Sequence, residues 1–267
     1  MTQISDSEFG LFQRFIHDAA GISLSEAKKA LVGGRLARRL AACRVNSYAE
    51  YFRLVMSGDA PQERQTALDL LTTNETYFFR EPKHFEFLKK QLAQRGPRAT
   101  AFRAWSAAGS TGEEAYSIAM LLADRLAEQP WEVVASDISA RVLERARIGH
   151  YTLQRLTHFP PGYLQRFCLK GIDTQEGTLL IDRQLRNKVR FLQVNLNAQL
   201  PALGQFDVIF LRNVLIYFNL ATKRKVVERV LTTLKPGGWL FIGHSESLNE
   251  VSEAVELVAP AIYRRIS

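Results

Sequence analysis

Residues 105–114 (WSAAGSTGEE) and Asp137 have the residue types and placement of a site for a nucleoside cofactor. The first stretch predicts the end of a strand, a turn of small residues and the start of a helix. Glycines at such a turn let the backbone approach a ligand, and the helix N-terminus presents free amide groups. Asp137 follows the next predicted strand, where a carboxylate can accept hydrogen bonds from the ribose hydroxyls of an adenosine cofactor. Two alternatives stay open, since Thr111 and Glu114 have the spacing of a capping box and Asp137 could cap a helix.

Polar side chains also follow the predicted apolar strand 206–211. Arg212 and Asn213 would lie at its carboxyl end, which is where open α/β sheets bind ligands. Tyr217 comes next in an apolar stretch, and its hydroxyl would need a partner if it were buried. Taken alone, these residues fit a turn and a core aromatic better than a site.

Two other segments contain polar residue types without a recognisable catalytic arrangement. In residues 72–82, Phe78 and Phe79 precede Arg80, which predicts a packed linker, and a hinge with surface charges is the alternative. Residues 243–246 (GHSE) contain Ser, His and Glu side by side. Three neighbouring residues cannot easily align as nucleophile, base and orienting group, and no Gly-x-Ser-x-Gly elbow is present in the sequence. A hydrolase is therefore not predicted.

Two different kinds of predicted structure position these segments. The first seventy or so residues predict helices only, beginning with an amphipathic helix at 8–20. From residue 101 onward, strands alternate with helices, which is typical of a parallel sheet with crossover helices. Residues 150–188 interrupt the alternation and predict an insertion with its own small antiparallel sheet. The main strands are predicted at 101–107, 131–136, 189–194, 206–211 and 239–242, the last one after a helix at 219–234 and a break at Pro236-Gly237-Gly238, with one or two more in 255–264.

Composition is that of a globular protein with a packed core, because 46% of the 267 residues are hydrophobic and 23% are charged. No signal peptide or membrane-spanning run is recognised, and Cys43 and Cys168 lack metal-site spacing, which predicts reduced thiols in a cytosolic protein. The net charge of +8 comes mostly from arginine, which favours an anionic partner. Nucleic acid, acidic protein and anionic lipid all satisfy that description.

In combination, five strings resemble one family, the CheR chemotaxis receptor glutamate methyltransferases. They are residues 71–81 (LTTNETYFFRE), 110–114 (STGEE), 135–138 (ASDI), 212–218 (RNVLIYF) and 243–246 (GHSE), and they occur in the family's order across nearly the whole chain. The resemblance implies an α/β, Rossmann-like S-adenosylmethionine-dependent methyltransferase domain with a small antiparallel β insertion, preceded by a small all-α domain. It implies an all-helical receptor-recognition domain at 1–71, a linker that contributes to the active site at 72–82, and a methyltransferase domain at 83–267 with the insertion at 150–188.

The same resemblance implies roles for individual residues. Arg80 and Tyr217 would lie nearest the transferred methyl group, and no metal would be needed. The β insertion would dock a short peptide at the carboxyl terminus of some receptors. The protein would be cytoplasmic, be recruited to membrane receptor arrays, and release S-adenosylhomocysteine as its product. The implied contacts to S-adenosylmethionine are Asn74, Thr76, Arg80, Glu114, Asp137, Asn195, Leu196, Asn213 and Val214.

A basic segment at 28–53 is the predicted surface for the receptor. At helical spacing, Arg35, Arg38 and Arg39 share one stripe, while Leu36, Leu40 and Cys43 share another that can pack inward. Together with Arg44, these arginines are expected to face outward and meet the acidic receptor helices that the resemblance implies. A solvated basic face and a nucleic-acid surface are the alternatives.

Two rival functions follow from the residues. A nucleic-acid methyltransferase agrees with the basic charge, but Asn213-Val214-Leu215 replaces the Asn/Asp-Pro-Pro-aromatic motif of base-amino methyltransferases. A non-catalytic module that binds the cofactor or its product as a signal would not need Arg80 and Tyr217. The sequence therefore favours protein methylation.

Overall fold

The computed structural model describes residues 3–96, 100–156 and 158–266. Its contacts divide the chain into two compact units. One contains the residues up to Thr73 together with Tyr217–Lys223, and the other contains Asn74–Ile216 and the residues from Arg224 onward. No helix within these described ranges combines the length and the apolar character that a membrane crossing requires.

The first unit is built from four helices, as the helical periodicity predicts. Helix α1 (Asp6–Ala20) begins with a capping box, in which the Ser5 hydroxyl accepts from the Glu8 amide and the Glu8 carboxylate accepts from the Ser5 amide. The helix ends at Gly21, whose φ of 74° suits glycine. Its apolar stripe is buried, which confirms the amphipathic prediction. The other helices are α2 (Lys29–Ala42), α3 (Tyr48–Met56) and α4 (Pro61–Leu71).

The second unit is a seven-stranded mixed sheet with helices packed against it. The strand order is β6-β2-β1-β7-β8-β10-β9, and the first five strands are parallel. Their carboxyl ends therefore lie along one edge of the sheet, where open α/β sheets bind ligands. The strands are β1 (Phe102–Ser106), β2 (Trp131–Asp137), β6 (Val189–Gln193), β7 (Phe206–Leu211), β8 (Leu234–Ile242), β9 (Val255–Ala259) and β10 (Ile262–Arg265). The helices are α5 (Pro82–Gln94), α6 (Glu113–Leu126), α7 (Ala140–Ile148) and α10 (Leu220–Thr232), the last of which begins within Tyr217–Lys223.

The predicted insertion is a three-stranded antiparallel sheet of its own. Its strand order is β3-β5-β4, formed by β3 (His150–Thr152), β4 (Cys168–Lys170) and β5 (Thr178–Ile181). Two short helices belong to the same region, α8 (Tyr163–Phe167) and α9 (Arg183–Arg186).

The predicted break at Pro236-Gly237-Gly238 is wrong, because β8 runs through these residues. The pairing of β8 with β7 shifts register between Phe206 and Val208, and Gly237 has a φ of 73°. A Cβ on Gly238 would lie 2.9 Å from the Asp207 carbonyl oxygen. Proline and glycine thus serve here at a strand irregularity and a close backbone approach.

Candidate active site

Four non-glycine residues with left-handed backbone belong to the segments that meet at the carboxyl edge of the parallel strands. Phe79 and Glu81 precede α5, Ser110 lies in the turn after β1, and Asn213 follows β7, with φ values of 53°, 57°, 48° and 54°. Such conformations cost free energy and concentrate at functional sites, where the surrounding contacts enforce them. Four such residues near the carboxyl ends of parallel strands make this edge the candidate site.

Arg212 connects three of the converging segments. Its guanidinium lies 3.2 Å from the Glu81 carboxylate and 3.4 Å from the Glu114 carboxylate, and it donates to the Arg80 carbonyl. The Arg212 side chain is only 1% exposed. Burial would raise the pKa of the Glu81 carboxyl, but Arg212, helped by other polar neighbours, outweighs burial and lowers it. The alternative interpretation of this linker, a hinge with a surface charge pattern at Arg80 and Glu81, is therefore wrong for Glu81, which is part of a buried ion-pair cluster.

Glu114 does not form the capping box that its spacing with Thr111 permits. Helix α6 instead begins after Gly112 without a side-chain cap, and the Thr111 hydroxyl donates to Glu113. Glu114 accepts from the Ser106 hydroxyl at 2.7 Å and pairs with Arg212. Burial raises the pKa of the Glu114 carboxyl, opposed by Arg212 and, to a smaller extent, by Arg80. The predicted cofactor residue thus lies at the site edge, within electrostatic reach of Arg80.

Gly112 is required where it stands. Its φ is 97°, and a Cβ there would lie 2.8 Å from the Tyr151 hydroxyl and 2.9 Å from the Ala146 side chain. The turn after β1 can therefore pass close to its neighbours only as glycine.

Asp137 lies at the end of β2 and orders the turn after β1. One of its oxygens accepts from the Ser110 amide and the other from the Ser139 amide, both at 2.9 Å. The N-cap of α7 is Ser139, so the helix-cap alternative for Asp137 is wrong. The Ser110 hydroxyl donates to the Asn74 carbonyl at 3.2 Å, which joins the predicted linker to the same turn.

The remaining predicted cofactor residues lie beside these. The Val194 amide donates to the Asp137 carbonyl, so Asn195 and Leu196 follow β6 directly beside the end of β2. Asn213 donates to Glu81 at 3.3 Å. Thr76 and Val214 are half-buried within the same unit. Their contacts with a cofactor stay predictions, as do those of the other residues in the set.

Arg80 and Tyr217 belong to different units by contact. The Arg80 guanidinium donates to the Glu75 carbonyl at 2.9 Å and lies 5.7 Å from the centre of the Tyr77 ring. Tyr217 ends the 3-10 helix Leu215–Tyr217, and its carbonyl accepts from the Ser23 amide. The pairing of Arg80 with Tyr217 at the methyl group stays a prediction.

Glu246 is a site-organising residue that sequence reasoning missed. Its carboxylate accepts from the Asn213 amide at 2.9 Å, the Gly243 amide at 2.6 Å and the Ile216 amide at 3.1 Å. A Cβ on Gly243 would overlap the Asn213 side chain. The GHSE string therefore has a structural role at this edge. Its glycine makes room for Asn213, and its glutamate fixes the turn after β7.

We expect Glu246→Ala to weaken binding of S-adenosylhomocysteine at least about tenfold, because the turn that carries Asn213 then loses its carboxylate acceptor, and a hydrogen bond to a charged group contributes roughly 1.5–3 kcal/mol. Calorimetry measures the affinity. Glu246→Gln keeps one acceptor oxygen and should lose less, while Glu250→Ala, at an exposed glutamate nearby, is the matched control. Wild-type affinity in folded Glu246→Ala would remove Glu246 from this role.

Asp137→Ala should also weaken binding of S-adenosylhomocysteine at least about tenfold, since it removes a charged acceptor at the end of β2. Asp137→Asn keeps one acceptor for the Ser110 amide and separates the loss of charge from the loss of the turn. Calorimetry on both variants is the measurement, and unchanged affinity in both would exclude Asp137 from the site.

One group of possible metal ligands occurs among the described residues. Glu81, His84 and His244 place ligand atoms within 4.8 Å of one another. His84 is fully buried, and burial lowers its pKa to about 4, so its ring is neutral at pH 7. Arg212 lies 3.2 Å from the Glu81 carboxylate and would repel a cation there. The group is better explained as packing around the Arg212 ion pairs.

The predicted receptor surface on α2 requires a correction. Arg35 donates to the Leu71 and Thr72 carbonyls at the end of α4, and Arg39 pairs with Glu63 at 2.6 Å. Both are half-buried, so the expectation that they face outward is wrong. Both side chains are held inside the helical unit, because α2 packs beside α4 and the two guanidinium groups bind carbonyl and carboxylate groups of that helix. Arg38 and Arg44 are exposed.

The polar groups at this edge of the sheet fit S-adenosylmethionine. Asp137 is a carboxylate at the end of β2, the position at which such folds bind a ribose, and the Glu81 and Glu114 carboxylates at the same edge are paired with Arg212. Two family profiles match, "CheR methyltransferase, SAM binding domain" over residues 74–263 and "CheR methyltransferase, all-alpha domain" over residues 7–72. The family match establishes the class, an S-adenosylmethionine-dependent methyltransferase. The chain belongs to the CheR methyltransferase family.

Proteins of similar sequence match this chain along nearly its whole length. The chemotaxis protein methyltransferase of Escherichia coli (strain K12) is 41% identical over 263 residues, covering 97% of this chain and 91% of that protein. Chemotaxis protein methyltransferase 2 of Pseudomonas aeruginosa is 41% identical over 259 residues, covering 96% and 92%. Among solved structures, N-methyltransferase NodS from Bradyrhizobium japonicum with S-adenosylhomocysteine has a TM-score of 0.42 at 14% identity, covering 74% of this chain and 95% of that one. The family match confirms the predicted fold class and cofactor.

Proposed function

We propose that this protein transfers a methyl group from S-adenosylmethionine to glutamate side chains of chemotaxis receptors, forming methyl esters. The observation that carries the proposal is the match to both CheR domains, together with 41% identity to a chemotaxis protein methyltransferase over 97% of the chain. The protein would act in the cytoplasm at membrane receptor arrays. Its β insertion would dock a carboxyl-terminal receptor peptide.

The reaction requires little acid–base chemistry from the protein. S-adenosylmethionine supplies a methyl group activated by a sulfonium sulfur. A glutamate side chain with an ordinary pKa near 4.3 is already ionised at neutral pH and needs no general base. Catalysis then depends on positioning the carboxylate in line with the methyl, which alone can give very large effective molarities.

Arg80 is the residue we assign to the acceptor carboxylate. Its guanidinium is held by the Glu75 carbonyl and the Tyr77 ring, and its backbone carbonyl is fixed by Arg212. A planar guanidinium can bind both oxygens of a carboxylate at once. Tyr217 would orient a reactant through its hydroxyl.

The cofactor would lie along the carboxyl ends of β1, β2, β6 and β7. Asp137 would bind its ribose, while Glu114 and the Asn74–Thr76 segment would face its amino-acid end. Asn195, Leu196, Asn213 and Val214 would complete the contacts. The fixed turns after β1 and β7 support this arrangement, because carboxylates hold the Ser110 and Asn213 amides and leave both turns at the same edge of the sheet.

Arg38 and Arg44 are the arginines that we assign to receptor binding. Exposed cations can speed encounter with acidic helices and fix register. We expect Arg38→Glu with Arg44→Glu to reduce receptor methylation at least about tenfold at low salt, because each reversal replaces attraction with repulsion. Wild-type methylation should also slow as salt rises, since the screening length falls from about 10 Å at 0.1 M to about 3 Å at 1 M.

Receptor methylation and cofactor affinity are measured side by side for this double variant. The matched control is Arg141→Glu with Arg145→Glu, which makes the same charge change at two exposed positions of α7. Normal receptor methylation by the Arg38→Glu, Arg44→Glu variant would contradict the assignment. A parallel loss of cofactor affinity would show that the arginines support the fold instead.

An acceptor panel tests the proposed function against its rival. Purified protein is incubated with radiolabelled S-adenosylmethionine and, separately, receptor-containing membranes, RNA and DNA. We expect label in the receptor fraction only. Label in nucleic acid with none in receptors would establish the rival, and turnover on any acceptor would exclude a purely cofactor-binding module.

A further inference from the structure

A basic pocket lies on the methyltransferase unit beside the amino-terminal half of β6, whereas the proposed cofactor site lies at its carboxyl end. It is lined by residues from α6, α7, α9 and β6 and has a volume of about 360 Å³, at the small end of ligand pockets. Val189 marks the amino end of β6, whereas Asn195 follows its carboxyl end. At about 3.3 Å per residue, the two ends of β6 are roughly 13 Å apart.

Three arginines line this pocket. Arg147 donates to the Phe191 carbonyl and Arg186 to the Ile148 carbonyl, each at 3.3 Å, while Arg183 is exposed at the start of α9. Within the described part of the chain, none of the three forms an ion pair with a carboxylate. The nearest acidic side chain in sequence, Asp182, is occupied in capping α9 through the Gln184 amide.

The Arg186 guanidinium has an unpaired hydrogen-bond donor. Its Nε is buried and has no hydrogen-bond partner in the structure. Gly149 makes room for this side chain, because a Cβ there would lie 2.9 Å from the Arg186 Cδ. A buried donor on a cation is costly when unpaired, and an anion in the pocket would offset that cost by binding the outer nitrogens of the same guanidinium.

We propose that this pocket binds a phosphate-bearing small molecule, with Arg147, Arg183 and Arg186 holding its oxygens. One guanidinium group can bind two phosphate oxygens at once. Three guanidinium groups around one pocket therefore match a ligand with several charged oxygens. The small volume favours a compact anion over a protein helix. The proposal does not depend on the proposed function, because this pocket lies apart from the methyl-transfer site.

Calorimetry with inorganic pyrophosphate tests the proposal. The full chain is first saturated with S-adenosylhomocysteine, so that the cofactor site is filled. We expect saturable binding of one pyrophosphate, weakened at least about tenfold by Arg183→Gln, because a hydrogen bond to a charged group is lost. Arg190→Gln, at an exposed arginine of β6 outside the pocket, is the matched control and should retain binding.

Three results would overturn the proposal. The first is that pyrophosphate shows no saturable binding to the wild-type protein. The second is that Arg190→Gln and Arg183→Gln lose the same amount of pyrophosphate affinity. The third is that a glutamate-rich peptide binds more tightly than pyrophosphate and depends on Arg183. The melting temperature without pyrophosphate should match wild type in Arg183→Gln, since that side chain is exposed. Arg186→Gln then serves as a second variant, and a loss of binding there with the fold intact supports the assignment.

Discussion

Replacing Arg212 with methionine should lower the free energy of unfolding by about 3–5 kcal/mol, because it leaves the Glu81 and Glu114 carboxylates buried without their cation. Arg212 is 1% exposed and lies within 3.4 Å of both carboxylates. It also donates to the Arg80 carbonyl, so the same change should loosen the linker. Chemical denaturation monitored by circular dichroism gives the free energy.

Matched variants separate the charge effect from lost packing. Arg212→Lys keeps the charge but not the planar fork, and should lose less stability. Adding Glu81→Gln and Glu114→Gln to Arg212→Met should recover part of the loss, because the unpaired charges are then gone. A stability change within about 0.5 kcal/mol for Arg212→Met, the range of ordinary surface substitutions, would contradict the ion-pair account.

Arg80→Ala should lower the rate of methyl transfer by a factor of about 10²–10³, the usual cost of removing a positioned charge-stabilising donor. The reason is that its guanidinium would orient the acceptor carboxylate and neutralise charge near Glu114, whose pKa it already influences. Tyr217→Phe should lower the rate as well. The measurement is turnover with saturating cofactor and receptor.

The matched control is Lys83→Ala, which removes a nearby exposed cation from the first turn of α5. Arg80 is half-buried and its contacts are local, so Arg80→Ala should melt close to wild type. Transfer at the wild-type rate by Arg80→Ala would remove it from the reaction centre. A rate loss accompanied by a large fall in melting temperature would assign it a structural role.

Local rules were sufficient for most helices and strands. The buried stripe of α1 follows from residue type and spacing, and β7 has the predicted bounds. The rules failed at β8, where Pro236 and two glycines look like a break. There the close approach to Asp207 is a property of the assembled sheet, which no local pattern contains.

The predicted cofactor residues lie on segments that converge at one edge of the sheet, but the side chains that hold those segments were not recognisable from the sequence. Glu246 contacts amides more than 25 residues away in sequence, and Arg212 pairs with Glu81 across more than 100. Helical spacing likewise grouped Arg35 and Arg39 with Arg38. It could not show that Arg35 and Arg39 would bind groups of α4. Long-range polar partners depend on the tertiary fold, and single-sequence periodicity does not report them.

The central claim, glutamate methyl-ester formation on receptors, is tested most directly by the chemistry of the product. Receptor membranes are labelled with tritiated S-adenosylmethionine and this protein, and the isolated receptor is then treated with alkali. We expect the label to be released as methanol, because carboxyl methyl esters are alkali-labile. Label that stays on the receptor after alkali, or no transfer to receptors at all, would contradict the account.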